Sequence, residues 1–263
     1  SLMRILAITN QKGGVGKTTT CVNLAASLAA TKRRVLLIDL DPQGNATTGS
    51  GVEKSGLKHT IYHVLIGDKS IAEVRVTADS GFDVVPANRE LAGAEVELVN
   101  ELARETRLKV ALSELGADYD YILIDCPPAL NLVTVNALTA AHAVMIPMQC
   151  EYYALEGLSD LVNTIKKVRA YLNPGLEIEG LLRTLFDPRN MLAQQVSAQL
   201  TQHFGDKVYR TVIPRNVRLA EAPSYGQPAL AYDRASKGAQ AYLALAGEII
   251  NRSSTATVGA ANG

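Results

Sequence analysis

The chain has 263 residues, 47% of them hydrophobic, few of them aromatic and none of them Trp. That is long enough for one large domain with a well-buried core, and the mixture suits helices packed on a parallel sheet rather than an all-β sandwich. A formal net charge of zero excludes a uniformly basic nucleic-acid binder, and three scattered cysteines, Cys21, Cys126 and Cys150, make neither a disulfide framework nor a metal-ligand pattern.

The charge is unevenly spread. Residues 180–252 carry nine Lys/Arg against five Asp/Glu, so the C-terminal third is mildly basic and leaves room for a local polyanion site. Each cysteine reads as a small buried apolar residue in a reducing compartment. No apolar run approaches the about 20 residues that span a bilayer, so a cytoplasmic chain is expected.

In chain order, residues 4–9 (RILAIT) predict a first strand, followed by a Gly-rich turn and a helix over 19–30. Residues 35–40 (VLLIDL) predict a second strand and 82–86 a third, followed by a long helix over about 90–115. Strands over 121–125 (YILID), 143–148 and 178–184 continue the series, with helices over 131–140 and 155–172. A helix over 191–203, a strand over 208–213 and a last helix over 237–251 complete it. Strands that are apolar without alternation are buried on both faces, and helix-length spacers between them imply parallel crossovers. The expected fold is therefore α/β: a doubly wound, mostly parallel sheet flanked by helices, in one domain over 1–252. The small, polar segment 253–263 has little to bury and is expected to be a disordered tail.

The segment Asn10-Gln11-Lys12-Gly13-Gly14-Val15-Gly16-Lys17-Thr18-Thr19 lies between the first strand and the first helix. Its three glycines let the backbone wrap an anion, with N–H groups converging at a helix N-terminus. Lys17 can reach the β- and γ-phosphates of a nucleotide, and the Thr18 hydroxyl can ligate Mg²⁺. The segment departs from the common pattern G-x-x-x-x-G-K-[ST], because Gln11 stands where the first Gly belongs, and it carries a second lysine, Lys12. Asp39 and Asp41 close the second strand, and Asp125 closes the strand before Cys126-Pro127-Pro128. Strand C-termini line the ligand crevice of such a sheet, where carboxylates can hold Mg²⁺ through water or orient an attacking water.

KGGVGKTT, DLDPQGNAT, IDCPP, the segment QCEYYALEG and the pair IPRNVRL and EAPS together resemble the ParA/Soj ATPases over nearly the whole chain. The loop is similar to the "deviant" Walker A loop of the wider ParA/MinD group. The resemblance implies ATP and Mg²⁺ as cofactors, bound by Lys12, Gly13, Gly14, Val15, Gly16, Lys17, Thr18 and Thr19. It also implies that Pro214, Arg215 and Asn216 lie against the adenine. It makes Thr18 and Asp125 the magnesium pair, with Asp125 acting through water. Lys12 becomes the signature lysine that crosses a dimer interface to the other subunit's nucleotide, and Asp41 the residue that positions the hydrolytic water, so these two are the catalytic candidates. Asp39 is read as more structural. Arg189 and Arg218 resemble positions that hold DNA without reading sequence. The implied cycle is an ATP-joined sandwich homodimer on nucleoid DNA, released when a ParB-like centromere-binding partner triggers slow hydrolysis.

Three rivals use the same loop. A MinD-like switch that positions cell division should end in a basic amphipathic helix, and SSTATVGAANG offers neither a basic cluster nor an apolar face, so no membrane is expected as partner. A metabolic P-loop enzyme such as a nitrogenase-type reductase would need cluster cysteines, and Cys126 lacks a convincing second ligand. Synthetase substrate residues are not excluded by chemistry alone. An operator-binding plasmid regulator would carry an N-terminal helix-turn-helix, whereas the first strand here is expected to start at Arg4.

Overall fold

Unbroken apolar runs become the middle of the sheet. The computed structural model describes residues 3–14 and 16–262, with side chains up to residue 254. Its strands are β1 (Arg4–Ile8), β2 (Val35–Asp39), β3 (Val76–Thr77), β4 (Asp83–Val85), β5 (Tyr121–Asp125), β6 (Ala143–Gln149), β7 (Glu177–Phe186) and β8 (Val208–Pro214). Among the described residues these form one eight-stranded sheet in the order β3-β4-β2-β5-β1-β6-β7-β8. Every neighbouring pair is parallel except β3 with β4. All residues of β2 and β5 are buried, which is why they show no polar alternation.

Each face of the sheet is covered by helices. Lys17–Ala30 and the helix starting at Lys237 pack on one side, with Leu6, Ile8, Leu37, Leu123 and Tyr242 in the core between them. On the other side Ala154–Tyr171, Leu132–Ala140 and Met191–Phe204 bury Leu158, Leu161, Val133 and Val196 against Ile38, Ile124 and Ile146. The doubly wound, mostly parallel architecture expected from the sequence is the one observed. The three cysteines are free and buried, as expected of small apolar residues.

Two expected elements differ. The helix expected over 90–115 is broken into a 3-10 turn at Arg89–Leu91 and helices at Ala92–Leu98 and Arg107–Ser113. Ala103 adopts a left-handed backbone with φ 54° in the break. The side chain of Asn136 bridges the gap, donating to Arg104 O at 2.8 Å and accepting from Leu108 N at 3.1 Å. Continuous apolar periodicity hid an interruption that a tertiary hydrogen bond stabilises. At the other end, the last helix runs Lys237–Asn262 rather than stopping at residue 251. The segment expected to be a disordered tail continues this helix to Asn262 and carries no proline that would end it. Short helices at Asn45–Gly49, Ile61–Leu65, Ile71–Val74, Val217–Glu221 and Ala229–Tyr232, and strand β3, lie in segments where periodicity predicts no element.

At the far edge, the fully buried ring of Tyr209 lies against the backbone of Gly180, and the Arg252 guanidinium sits 4.2 Å from the ring centroid. A Cβ on Gly180 would come within 2.3 Å of that ring. Gly180→Ala is expected to destabilise the fold by about 1–3 kcal/mol through overpacking, read as a lower midpoint in urea unfolding.

Candidate functional site

Strand register assembles the site. β5 pairs with both β1 and β2, so that Asp125 stands beside Ile8 on one side and Asp39 on the other. The phosphate loop leaves β1 at this point, and the helix Lys17–Ala30 begins directly after it. Gly14 (φ 73°) and Gly16 (φ 76°) take left-handed backbone, which glycine adopts without Cβ strain. Asn10 anchors the loop start, donating to Pro147 O at 2.7 Å while its Oδ1 accepts Lys12 N at 2.9 Å.

Lys17, Thr18 and Asp125 are brought together as the sequence led one to expect. The Lys17 ammonium pairs with Asp125 Oδ1. The Thr18 hydroxyl donates to Asp125 Oδ2 at 2.9 Å. Asp125 is fully buried and Lys17 nearly so. Burial is the largest single effect on Lys17 and would lower its pKa, but the Asp125 charge and hydrogen bond, together with smaller effects of Cys21 and Cys126, outweigh it and hold the ammonium charged. Asp39, also fully buried, is pushed up to about 7, first by burial and then by the Asp125 carboxylate beside it. Two buried carboxylates in register, one of them paired with a lysine and a hydroxyl, form an oxygen donor set that suits a hard divalent cation. The residues present therefore fit Mg²⁺ and the phosphates of a nucleotide, with Thr18 and Asp125 as the groups that would hold the metal.

The remaining candidates are placed as follows. Gly13 sits on the outer turn of the loop, where an added Cβ would meet nothing within 4 Å. Val15 lies outside the described residues. Thr19 accepts from the Asn23 side chain at 2.8 Å through its carbonyl, and so serves the helix's first turn. Lys12 does not join the Lys17–Asp125 pair. Its half-exposed ammonium pairs with Glu151, next to the exposed Tyr152 and Tyr153. Asp41 lies two residues beyond the end of β2, its Oδ1 accepting Gln43 N at 3.0 Å.

Pro214 ends β8 opposite Phe186 of β7, and Thr184 of β7 lies 3.6 Å from where a Cβ on Gly16 would stand. Pro214, Arg215 and Asn216 are thus at the same end of the sheet as the phosphate loop. Asn216 is also the N-cap of Val217–Glu221, accepting from Leu219 N. Arg189 and Arg218 project from the segments after β7 and β8 and are exposed. Arg189 is held by Asp187 (Nε to Oδ1, 3.0 Å), and Arg218 by Glu221 at 2.9 Å and Asp233 at 3.1 Å. These carboxylates were not foreseen. Nor was Glu95, whose oxygens accept Leu132 N at 3.1 Å and Val133 N at 2.7 Å and so brace the segment after Asp125. Sequence spacing carries no signal for such a contact, because 37 positions separate Glu95 from Leu132.

Among the described residues no helix is long and apolar enough to cross a membrane.

Residues 3–178 match a family model described as an AAA domain. The chain is 56% identical over 247 residues to the sporulation initiation inhibitor protein Soj of Bacillus subtilis, covering 94% of this chain and 98% of that one. It is 54% identical over 253 residues to the chromosome partitioning protein ParA of Caulobacter vibrioides, covering 95% of each. A solved structure from Mycobacterium smegmatis, named as cobyrinic acid a,c-diamide synthase with ADP and magnesium, matches with a TM-score of 0.86 at 38% identity over 97% of each chain. With a P-loop closed by Lys17 and Thr18 on a strand-end aspartate, and relatives of this identity along nearly its full length, the chain belongs to the ParA/Soj family of P-loop ATPases.

Proposed function

We propose that this chain is an ATP-driven partition switch for chromosomes or plasmids. Mg²⁺-ATP joins two copies face to face, the dimer holds duplex DNA without reading sequence, and a ParB-like centromere-binding partner stimulates a slow hydrolysis that releases it. The observation that carries this reading is the position of Lys12. The loop has a second lysine that leaves its own phosphate site to Lys17 and stands half exposed beside Glu151, Tyr152 and Tyr153. A cation and two exposed aromatic rings at the rim of a phosphate loop suit a second copy laid against it, with Lys12 reaching the opposite nucleotide. Mg²⁺ bound by Thr18 and Asp125 would offset the charge that builds on the phosphates. Lys17 holds the β- and γ-phosphates, Pro214 to Asn216 lie along the adenine, and Asp41 orients the attacking water. The protein would then work in the cytoplasm, on the nucleoid. Sedimentation with and without ATP and duplex DNA tests the reading as a whole. ATP-dependent co-sedimentation with DNA supports it, and its absence at low salt overturns it.

The roles of Lys17 and Asp41 separate in binding and turnover. Lys17→Ala removes the charge opposite the phosphates and leaves buried Asp125 without its partner, so ATP affinity should fall by about 100-fold or more. Asp41→Ala should bind ATP nearly as the parent does, lose hydrolysis and accumulate as the ATP-bound dimer. Calorimetry alongside phosphate release checks both, and equal loss of affinity in the two variants would refute the division.

Gly13→Val should bind ATP yet fail to dimerise. The chain itself has room for the side chain, since nothing lies within 4 Å of the added Cβ. A loss of dimerisation with ATP binding intact would therefore point to a clash with the second copy. Light scattering with ATP reads it out, and a normal dimer would place the interface elsewhere.

Arg189 and Arg218 lie in the basic third, at the sheet end that carries the nucleotide site. Replacing both by Ala should weaken DNA binding alike on two unrelated duplexes and leave ATP-dependent dimerisation intact. The slope of log affinity against log salt should flatten by about 0.9 for each DNA phosphate that is no longer neutralised. Fluorescence anisotropy across a salt series measures this, and an unchanged slope would remove these residues from the DNA surface.

A further inference from the structure

Asp39 is fully buried, stands in register with Asp125, and yet spends its hydrogen bonds elsewhere. Its Oδ1 accepts Asp41 N at 3.1 Å. Its Oδ2 accepts Thr47 N at 2.9 Å and the Thr47 hydroxyl at 2.7 Å. Thr47 is itself buried, and its hydroxyl oxygen accepts Ala87 N at 3.0 Å, so one side chain ties the end of β2 to the segment after β4. The short helix Asn45–Gly49 begins at Gly44, which has no side chain to cap it, and the Asp39 carboxylate supplies the missing acceptor from outside. Gly44 is confined in turn, since a Cβ there would lie 2.7 Å from Ala87 O and 2.5 Å from Lys54 Cδ. Lys54 closes the turn by donating to Gln43 O at 2.7 Å. The whole 41–47 turn is thus clamped from both sides. Asp41 is its half-buried corner, with Oδ1 on Gln43 N and no partner for Oδ2 among the described residues.

We propose that Asp39 and Thr47 form a buried positioning pair that fixes the 41–47 turn and so aims the Asp41 carboxylate at the hydrolytic water. Neither residue touches the nucleotide in this scheme; both act through Asp41. The proposal rests on the reading of Asp41 as the water-orienting group. Misplacing a reacting group by an ångström costs turnover far more than affinity, which sets the signature to look for.

Thr47→Val keeps the shape and removes both hydroxyl bonds, whereas Thr47→Ser keeps them. In the full-length protein with Mg²⁺-ATP, Thr47→Val should lower kcat by about 10- to 100-fold while the ATP dissociation constant stays within about threefold. Thr47→Ser should recover most of the rate, and the melting temperature of Ser and parent should agree. Asp41→Ala is run alongside. If Asp41→Ala abolishes hydrolysis but Thr47→Val turns over like the parent, the positioning pair is refuted and the role of Asp41 stands. If Thr47→Val loses ATP affinity in step with kcat, or Ser is as impaired as Val, the pair is a folding element and the proposal fails. If Asp41→Ala hydrolyses normally, the role of Asp41 itself fails and the proposal falls with it.

Discussion

The register of three parallel strands governs everything else at the site. Because β5 lies between β1 and β2 and pairs in register with both, the last residues of β2 and β5 bring two carboxylates side by side under the loop that leaves β1. Two buried carboxylates at neighbouring strand ends are tolerable when one is drawn toward its neutral form, as Asp39 is, and positive charge lies close to the other. Lys17 provides it from the first turn of the following helix, and its ammonium sits on Asp125. Removing one partner of such a buried pair costs about 3–5 kcal/mol, because the other is left charged and dry. The arrangement is therefore a poor way to hold a sheet together and a good way to hold a polyphosphate and a divalent cation.

The two carboxylates divide the work by their surroundings. Asp125 bonds Lys17 and Thr18 of the phosphate loop and first helix, while Asp39 bonds only the turn that follows its own strand. The raised pKa of Asp39 reflects burial and the neighbouring anion, offset in part by the hydrogen bonds from Thr47 and Asp41. A strand-end acid that spends its acceptors on a turn ties that turn to the sheet, whereas one bonded to a lysine and a hydroxyl stands among groups that suit a phosphate and a divalent cation.

The surface residues follow a different logic. Lys12, Arg189 and Arg218 each carry a carboxylate partner from the same chain, at positions where solvent screens the pair. Exposed pairs of this kind contribute little to folding and exchange readily. A phosphate, on DNA or on an opposing nucleotide, can replace a carboxylate there at small loss to the fold. Partner binding at these positions is thus compatible with a chain that carries no net charge.

Much of this molecule was legible before any coordinates. The unbroken runs RILAI, VLLID and YILID read as strands buried on both faces, and the glycines with Lys17 and Thr18 between a strand and a helix read as a phosphate loop, because those features are set by local backbone geometry and by burial. Contacts between distant segments were not legible. The break near Ala103 depends on Asn136, the turn at Asp41 on Thr47 and Ala87, and the brace after Asp125 on Glu95. The second partner of Arg218, Asp233, comes from across a further helix. Each of these is a polar side chain satisfying a backbone or charged group that tertiary packing brought within reach. Periodicity and motif spacing record what the chain does to itself over a few residues, and hydrogen bonds of that kind are decided only when the sheet has closed its order.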